Sequence, residues 1–226
     1  MTTTLITGAG KGLGLETARR LIELGHTVVA GVRDTSRADA VRSLGAQVVR
    51  LDVTDDASVQ AAMGELPQLD VLINNAGIIG TAFGVDDLDV AALATTFETN
   101  VHGVVRITQA ALPLLRASAS PVIVNVASGV GWPRFLLDPD RVEFPVQAVP
   151  YAASKAAVIT LTVQYAKGLP DMRVNAADPG YTATDLNGNS GHQTVTEGTD
   201  AIVALATIGP DGPTGEFHDR TGRIAY

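Results

Sequence analysis

Residues 3–32 read TTLITGAGKGLGLETARRLIELGHTVVAGV, and this stretch indicates the fold class. A β-rich run from Thr3 to Thr7 leads directly into a glycine-rich turn, and the helical pattern that follows ends at Gly25. The residues predicted to share one face of this helix are Leu13, Thr17, Leu21 and Leu24. Thr27 to Val32 is a continuous apolar run, typical of a strand buried on both faces of a parallel sheet. Strand, turn, helix and strand within about 30 residues predict a βαβ unit that can bind a dinucleotide.

The glycines of the turn suit phosphate binding, because they let the backbone approach a pyrophosphate at the positive end of a helix. Their spacing is GxxxGxG over Gly8, Gly12 and Gly14 and departs from the GxGxxG fingerprint. Gly10 makes a first GxG pair, but Leu13 stands where the third glycine would belong. A turn of this form is also compatible with a purely structural role, so the cofactor prediction needs support from other residues.

The end of the second strand bears on the choice of cofactor. NAD-binding units usually place an acid there to accept a hydrogen bond from the ribose 2′-hydroxyl. This chain has Val32 and Arg33 before Asp34, and Lys11 lies inside the glycine turn. Arg33 and Lys11 would form a cationic clamp for a 2′-phosphate, although Arg33 could equally be a solvated strand end. The two cations favour NADP(H) over NAD(H).

Strands and helices alternate along the rest of the chain. Further strands are predicted at 47–51, 69–73, 121–126, 173–177 and 215–224. Further helices are predicted at 36–44, 56–63, 90–116, 151–168 and 197–208. This alternation predicts an α/β fold, a doubly wound Rossmann-type parallel sheet of about seven strands with helices on both faces. Because no linker interrupts it, residues 1–226 are predicted to form a single dinucleotide-binding catalytic domain.

Two irregular segments are predicted to be substrate-site loops. Residues 129–150 contain four prolines and the apolar residues Trp132, Phe135, Leu136, Leu137 and Phe144. These side chains either line a substrate pocket or anchor the loop to the core. Residues 181–193 are polar and rich in glycine and asparagine, a composition that suits a mobile lid.

Tyr151 and Lys155 begin a predicted helix and form a YxxxK pentad. Residues four apart on a helix lie on one face, so the phenol and the ammonium can share one pocket. A free phenol has a pKa of roughly 10, and an adjacent cation would move it toward the working pH, where acid–base catalysis is most effective. A tyrosine and a lysine at this spacing also occur by chance on amphipathic helices. The pentad therefore indicates catalysis only in combination with the other motifs.

Together these pieces resemble the short-chain dehydrogenase/reductase family over essentially the whole chain. Residues 7–14 resemble its TGxxxGxG cofactor turn, residues 51–53 its adenine-contacting segment, and residues 74–77 its NNAG motif. Pro179-Gly180 resembles the motif that borders the nicotinamide. The cofactor contacts implied by the resemblance are Gly8, Lys11, Gly12, Leu13, Gly14, Arg33, Asp52, Val53, Asn75, Ala76, Gly77, Tyr151, Lys155, Pro179, Gly180 and Thr182.

The resemblance also implies a catalytic tetrad of Asn100, Ser128, Tyr151 and Lys155. In the family the tyrosine donates a proton, the lysine lowers its pKa and holds the nicotinamide ribose, the serine binds the substrate oxygen, and the asparagine holds a water. Each residue has a structural alternative. Asn100 could bond at a helix kink, Ser128 could cap a strand end, and Lys155 could be a solvated helix residue. The implied function is reduction of an aldehyde, ketone or quinone with NADPH, or the reverse; a non-catalytic dinucleotide sensor is the alternative.

One departure from the family pattern lies beside the expected substrate entrance. Ser128 and Tyr151 are 23 residues apart, a longer interval than is usual in the standard-length branch. The monomeric carbonyl reductases of the family carry a still longer insertion there, and Val32-Arg33-Asp34 resembles that branch. A homodimer, a homotetramer and a monomer therefore all stay open.

Composition excludes several other function classes. The net charge of -8 argues against nucleic-acid and anionic-membrane binding, so the expected partner is a small carbonyl or alcohol substrate. No apolar run approaches the roughly 18 residues of a membrane span, no secretory signal is recognisable, and the absence of cysteine fits the cytoplasm. No metal site is expected, because the histidines, including His102 near Asn100, lack zinc-like spacing. The acidic pairs Asp55-Asp56 and Asp86-Asp87 precede predicted helices and are interpreted as N-caps and first-turn acids.

Overall fold

Eight short strands form one sheet in the computed structural model, which describes residues 1–86 and 88–225. Their order across the sheet is β3-β2-β1-β4-β5-β6-β7-β8. The strands are β1 Thr3–Thr7, β2 Thr27–Val32, β3 Gln47–Arg50, β4 Val71–Asn74, β5 Val122–Val126, β6 Arg173–Ala177, β7 Phe217–Asp219 and β8 Gly222–Ile224. This order reverses direction after β1, which places the carboxyl ends of β1 and β4 at a topological switch point.

The first seven strands are parallel, and β8 alone runs antiparallel to its neighbour β7. The prediction of a doubly wound, Rossmann-type sheet is therefore confirmed, with one more strand than expected. The predicted strand 215–224 is a hairpin, because Asp219 closes a turn by accepting hydrogen bonds from the backbone and hydroxyl of Thr221. Gly222, at a φ of 126°, then begins β8.

Helices pack on both faces of the sheet. They are α1 Gly12–Glu23, α2 Asp39–Ser43, α3 Asp56–Gly64, α4 Val90–Phe97, α5 Gly103–Ala117, α6 Pro133–Leu136, α7 Val149–Gly168, α8 Val195–Gly198 and α9 Asp200–Ala206. Successive residues of a strand point to opposite faces, so Ile6 packs with α1 and α9 while Leu5 packs with α3 and α5. None of the helices in the two described ranges is long and apolar enough to cross a lipid bilayer.

Three predicted helices are interrupted. The helix predicted at 90–116 consists of α4, a π turn at Glu98–His102 and α5. The one predicted at 36–44 is a 3₁₀ turn at Thr35–Arg37 followed by α2, because Asp34 caps the short turn through the Ser36 amide. The one predicted at 197–208 is split into α8 and α9. Leu24, expected on the buried face of α1, lies just past its end and is 59% exposed.

The helix caps match the sequence interpretation only in part. Asp55 caps α3 and accepts hydrogen bonds from the amides of Ala57 and Ser58. The cap of α4 is Asp89, whose carboxylate accepts from the Ala92 amide at 2.6 Å, so the interpretation of Asp86 as the cap is wrong. The other member of that pair, Asp87, lies outside the described residues.

Candidate active site

The glycine turn after β1 needs glycine at three places. Gly8 and Gly12 have φ values of 67° and 54°, in the left-handed region that side chains rarely adopt. At Gly14 a Cβ atom would collide with the Gly8 carbonyl oxygen and would lie 2.7 Å from Nδ2 of Asn75. The first turn of α1 is therefore pressed against the end of β1, and the side chain of its N-cap residue, Lys11, makes no capping hydrogen bond to it.

The NNAG segment after β4 braces this turn. The Asn75 amide donates to the carbonyl oxygens of Thr7 and Gly8 at 2.8 and 3.2 Å. In return, the Thr7 hydroxyl accepts from the backbone amides of Asn75 and Ala76 at 3.0 and 2.9 Å. The predicted cofactor residues Asn75, Ala76 and Gly77 thus lie beside the glycine turn.

Asn74, the first residue of that segment, points into the sheet instead. It pairs with Asn125 at 2.8 Å and with Thr108 at 3.1 Å, and Asn125 donates in turn to Thr162. This buried polar chain connects β4 and β5 with α5 and α7. It has a structural role that keeps the two site-bearing strands in register.

The ends of β2 and β3 carry the residues predicted to contact the adenosine half. Arg33 is exposed and makes no hydrogen bond or ion pair within the described residues. The carboxylate of Asp34 accepts from the Ser36 amide and hydroxyl, at 3.0 and 2.6 Å, so it is engaged in its own turn. Asp52 accepts from Thr54; burial raises its pKa, but these bonds and the nearby arginines outweigh that effect and lower it. The neighbouring Val53 is buried.

The predicted lid lies on the glycine turn. Lys11 Nζ is 3.0 Å from Oδ2 of Asp185 in an exposed ion pair, and Thr184 is 3.8 Å from the position that a Cβ on Gly12 would occupy. Thr182 and Gln193 form a β-bridge that closes this segment, so it has regular local structure. The pairing of Lys11 with Asp185 was not foreseen from the sequence, because 174 residues separate the two.

Tyr151 and Lys155 lie on the first two turns of α7, as the pentad predicts. Lys155 Nζ is 5.5 Å from the centroid of the Tyr151 ring and donates to the Val126 carbonyl at 2.8 Å. Val126 ends β5, and the chain continues to Ser128, whose hydroxyl is near enough to the phenol to influence its protonation. Lys155 is buried, so the alternative of a solvated helix residue is wrong.

Burial dominates the protonation of this pair. It raises the pKa of Tyr151 to about 12; the Ser128 hydroxyl opposes this rise and the Asp178 charge adds to it. Burial lowers the pKa of Lys155 to about 8, and Asp178 opposes that change. The direction for Tyr151 is opposite to the expected one, because the loss of solvent outweighs the other influences on the phenol. At neutral pH the phenol keeps its proton.

Asn100 occupies the π turn between α4 and α5. Its Oδ1 accepts from the Ile78 amide at 2.9 Å, and its Nδ2 donates to the Ile78 carbonyl at 2.8 Å and to Oγ of Ser154 at 3.0 Å. Oδ1 of Asn100 and Nζ of Lys155 both lie near Gly77, at 3.4 and 3.6 Å from the position of a Cβ there. Asn100 therefore does bond at an irregularity of the helix, and it also lies beside the lysine.

His102 belongs to the surface and not to this site. It is exposed and pairs with Glu98 at 2.7 Å.

Beyond β6 the chain turns sharply at the predicted Pro179-Gly180 motif. Gly180 has a φ of 66°, and its amide donates to Oδ1 of Asp178 at 2.9 Å. The Thr182 hydroxyl donates to the Pro179 carbonyl at 2.8 Å. Because β5 and β6 are adjacent and parallel, this turn and Ser128 are at the same edge of the sheet.

Some apolar residues of the segment 129–150 anchor it to the core, and others are exposed on the surface, where they could contact a substrate. Trp132 and Phe135 pack against a core cluster beneath α7. Leu137 and Phe144 are 78% and 50% exposed, and they lie with Val142 and Val146 on the surface. The Val149 amide bonds to the Phe83 carbonyl at 3.1 Å, which brings a second exposed apolar stretch to the start of α7.

A pocket of about 260 Å³ lies where these loops meet the β7–β8 turn. The charged residues in its lining are Asp140, Arg141, Glu143, Asp178, Asp219 and Arg220. None of them was among the predicted site residues. The signal for Asp178 was its place directly before Pro-Gly, whereas Arg141 and Glu143 come from an irregular loop whose path no local pattern predicts.

Comparison with known proteins agrees with this geometry. A sheet of 3-2-1-4-5-6-7 order with a glycine turn after β1 defines a Rossmann-type nucleotide-binding fold. The family model for short chain dehydrogenases matches residues 2–195. The chain therefore belongs to the short-chain dehydrogenase/reductase family, whose members are oxidoreductases that reduce carbonyls or oxidise alcohols with a nicotinamide dinucleotide.

Three relatives show the breadth of this family. (+)-Neomenthol dehydrogenase of Capsicum annuum is 29% identical, with 96% of this chain and 95% of that protein aligned. The structure of salutaridine reductase from Papaver somniferum superposes with a TM-score of 0.84 at 25% identity, covering 96% of this chain and 99% of that one. A 3-ketoacyl-(acyl-carrier-protein) reductase from Brucella melitensis, complexed with NADH, gives a TM-score of 0.82 at 28% identity and covers 96% of each chain.

Proposed function

We propose that this chain transfers hydride between NADP(H) and the carbonyl carbon of a small to medium organic substrate, with Tyr151 as the proton donor. The observation that carries the proposal is the placement of Tyr151 beside Lys155 and Ser128, at the carboxyl edge of the sheet and next to the glycine turn. A bound nicotinamide supplies or accepts the hydride, and the protein positions the reactants.

Each catalytic residue has a role that its surroundings support. Tyr151 is a neutral phenol at pH 7, ready to protonate a developing alkoxide. Ser128 is placed to donate a hydrogen bond to the same oxygen, an interaction typically worth about 3 kcal/mol in the transition state. Lys155 supplies a positive charge beneath the tyrosine, and Asn100 fixes the backbone at Ile78 beside that lysine.

Three features support NADP(H) as the cofactor. Arg33 at the end of β2 forms no ion pair within the described residues and acts on the Asp52 carboxylate only through its charge, so its guanidinium is available to a 2′-phosphate. The acid that would otherwise accept from a ribose hydroxyl, Asp34, is engaged with Ser36. Arg37 lies in the 3₁₀ turn that follows and adds a second cation nearby, one that sequence reasoning overlooked. Lys11, the other half of the predicted clamp, would have to leave Asp185.

The substrate is proposed to be a bulky apolar ketone or the corresponding alcohol. The exposed apolar side chains near the start of α7 would contact such a molecule, and they come from both the β4–α4 loop and the segment 129–150. The two plant relatives named above act on neomenthol, a terpenoid alcohol, and on salutaridine, an alkaloid.

Replacing Tyr151 with phenylalanine tests the catalytic proposal. We expect Tyr151→Phe to lower kcat by about a thousandfold, within the usual range for loss of a general acid, while the Kd for NADPH stays unchanged. Turnover is measured by NADPH oxidation on cyclic ketones, aldehydes and quinones, and binding by fluorescence of Trp132, the only tryptophan.

Tyr165→Phe is the matched control for this substitution. Its phenol lies on the same helix, and among the described residues its one hydrogen bond is accepted from the Gln109 amide, so the substitution should leave turnover nearly unchanged. Retained activity in Tyr151→Phe would exclude Tyr151 as the acid. Tight NADPH binding by the wild-type protein without turnover on the panel would instead favour the dinucleotide sensor.

Replacing Arg33 with alanine tests the cofactor preference separately. We expect Arg33→Ala to weaken NADPH binding by at least tenfold and NADH binding by less than twofold, because only NADPH has the 2′-phosphate. Arg42→Ala, on α2 and already paired with Asp39, is the control. Equal loss for both nucleotides would show that Arg33 does not contact that phosphate.

A further inference from the structure

Two buried charged residues beside the site share an unusual feature. Asp178 is 3% exposed and Lys155 is 4% exposed, yet neither belongs to an ion pair within the described part of the chain. Lys155 donates to the Val126 carbonyl, and Asp178 accepts from the Gly180 amide. Isolated buried charges are costly, so the source of their stabilisation needs an explanation.

The two residues flank the same short segment, the 3₁₀ turn Gly129–Gly131 that follows Ser128. Oδ2 of Asp178 is 2.9 Å from the position that a Cβ on Gly129 would occupy. On the other side, Cβ of Lys155 is 2.8 Å from the corresponding position on Gly131. This 3₁₀ turn has no side chains at these two points, and it lies between the carboxylate of Asp178 and the Lys155 side chain. The charge of Asp178 raises the pKa of the Lys155 ammonium, in opposition to the effect of burial.

The remaining charges around Asp178 are mostly negative. Glu143 contacts Gly129 from the pocket side, and Asp219 faces the same carboxyl from the end of β7. Glu143 is held by Arg141, at 3.0 and 3.1 Å, and that guanidinium also stacks 3.6 Å from the Phe135 ring. Arg141 is thereby committed to Glu143, and Arg220, which lines the same pocket, is committed to Glu197 and Asp200. Within the described residues, Lys155 is the neighbouring cation that has no carboxylate partner of its own.

We propose that Asp178 is a positioning residue of the active site. Its carboxylate ties the Ser128–Gly129 segment to the Pro179-Gly180 turn and lies across that segment from the Lys155 side chain. This inference rests on the proposed function for its kinetic consequence. Its electrostatic content, the interaction between Asp178 and Lys155, does not depend on any substrate.

The negative charge of Asp178 determines the direction in which it shifts the pKa values of its two neighbours. A carboxylate near an ammonium raises the ammonium pKa, and near a phenol it raises the phenol pKa. Asp178→Asn keeps an oxygen that can accept from Gly180 but removes the charge. The pKa of Lys155 and the pKa of Tyr151 should both fall. The alkaline limb of the pH–rate profile for carbonyl reduction should therefore move to lower pH.

The primary test is a titration of Lys155 in the protein without nucleotide. The chain has three lysines, Lys11, Lys155 and Lys167, so ¹³Cε-lysine NMR resolves them, with Lys11→Arg and Lys167→Arg used for assignment. We expect the Lys155 midpoint to move to lower pH in Asp178→Asn and to stay in place in Asp219→Asn. The Asp219 carboxyl lies in the same pocket but bonds to Thr221, which makes it the matched control.

Kinetics provide the second test. We expect Asp178→Asn to lose about tenfold in kcat, equivalent to about 1.4 kcal/mol in the barrier, with the NADPH Kd nearly unchanged. Asp178→Glu, which keeps the charge, should retain the wild-type Lys155 midpoint and most of the activity; it also serves if the asparagine variant does not fold.

The outcomes separate the two proposals. An unchanged Lys155 midpoint in Asp178→Asn, or a loss of activity without a shift in the pH profile, would overturn the role of Asp178. A shifted midpoint in a protein that reduces no carbonyl would leave that role standing and would instead contradict the proposed function.

Discussion

The glycine turn after β1 and a charged cluster beyond β5 and β6 lie at the same edge of the sheet but are stabilised in different ways. The cluster consists of Lys155, Asp178, Glu143 and Asp219. Around the turn, Thr7 and Asn75 each make several hydrogen bonds to backbone atoms. Around the cluster, Asp178 and Lys155 are buried without a direct opposite charge within the described residues. The first region is built for stability, whereas the second keeps unfavourable charges that chemistry can use.

The strongest test of this comparison is Gly14→Ala. The new Cβ would collide with the Gly8 carbonyl and with the Asn75 amide that braces the turn. We expect a loss of about 3 kcal/mol in the free energy of unfolding, at the upper end for overpacking against fixed backbone. Urea denaturation monitored by circular dichroism measures it.

Gly10→Ala is the control within the same turn. Its nearest neighbour would be Cγ1 of Val32 at 3.5 Å, an ordinary van der Waals contact. We expect a change in unfolding free energy below about 0.5 kcal/mol. Similar losses in both variants would mean that the turn is not held by the close approach of Gly14 to Gly8.

Unlike Gly14→Ala, Asp178→Asn should increase the free energy of unfolding at neutral pH. The folded-state pKa of Asp178, about 6, lies above its ordinary value of 3.8. Between these values the folded protein binds more protons than the unfolded chain, so the free energy of unfolding falls as the pH rises from about 4 to about 6. The loss is at most about 3 kcal/mol, and the uncharged amide avoids it.

We expect Asp178→Asn to be more stable than wild type at pH 7.5 by about 1–2 kcal/mol, below that limit because Lys155 loses its compensating charge. The advantage should shrink at pH 4, where the wild-type carboxyl is protonated. Urea unfolding at the two pH values measures the difference. A variant that is less stable at both would show that the cluster contributes to stability in the same way as the glycine turn.

The smallest effect is expected where the lid meets the turn. Lys11 and Asp185 form their ion pair with side chains that are 74% and 62% exposed. Such pairs contribute little, so Lys11→Met should change the free energy of unfolding by less than about 0.5 kcal/mol. If thermal unfolding shows a larger loss, the lid contributes to the stability of the turn more than its exposure implies.

The sequence predicts the regular parts of this molecule well, because their signals are local. The glycine turn, the buried strands and the YxxxK pentad each depend on residues a few positions apart, and all are in the expected places. The β7–β8 hairpin was missed because two three-residue strands are too short for a periodic pattern.

The sequence predicts Lys155 as a site residue, but it does not predict the carboxylates of the charged cluster, because they are distant from one another in sequence. Glu143 meets Asp178 only after the irregular segment 129–150 has folded back on Gly129. Burial also reversed the expected direction of the Tyr151 pKa, and no local pattern predicts the degree of burial of a helix that packs over a loop. The resemblance to the family predicts the tetrad residues, but it does not predict how burial changes their pKa values.

The π turn at Glu98–His102 determines how α4 is rotated relative to α5 about their common helix axis. A π turn adds one residue to a helical turn, and each residue of an α-helix rotates the chain by about 100°. Deleting one residue there would restore a continuous α-helix from Val90 to Ala117 but would rotate α4 against α5. Either the Asn100 amide would lose Ile78, or the buried face of α5 would turn away from the sheet. A single inserted residue therefore lets one helix contribute to the core and also place Asn100 in the candidate site.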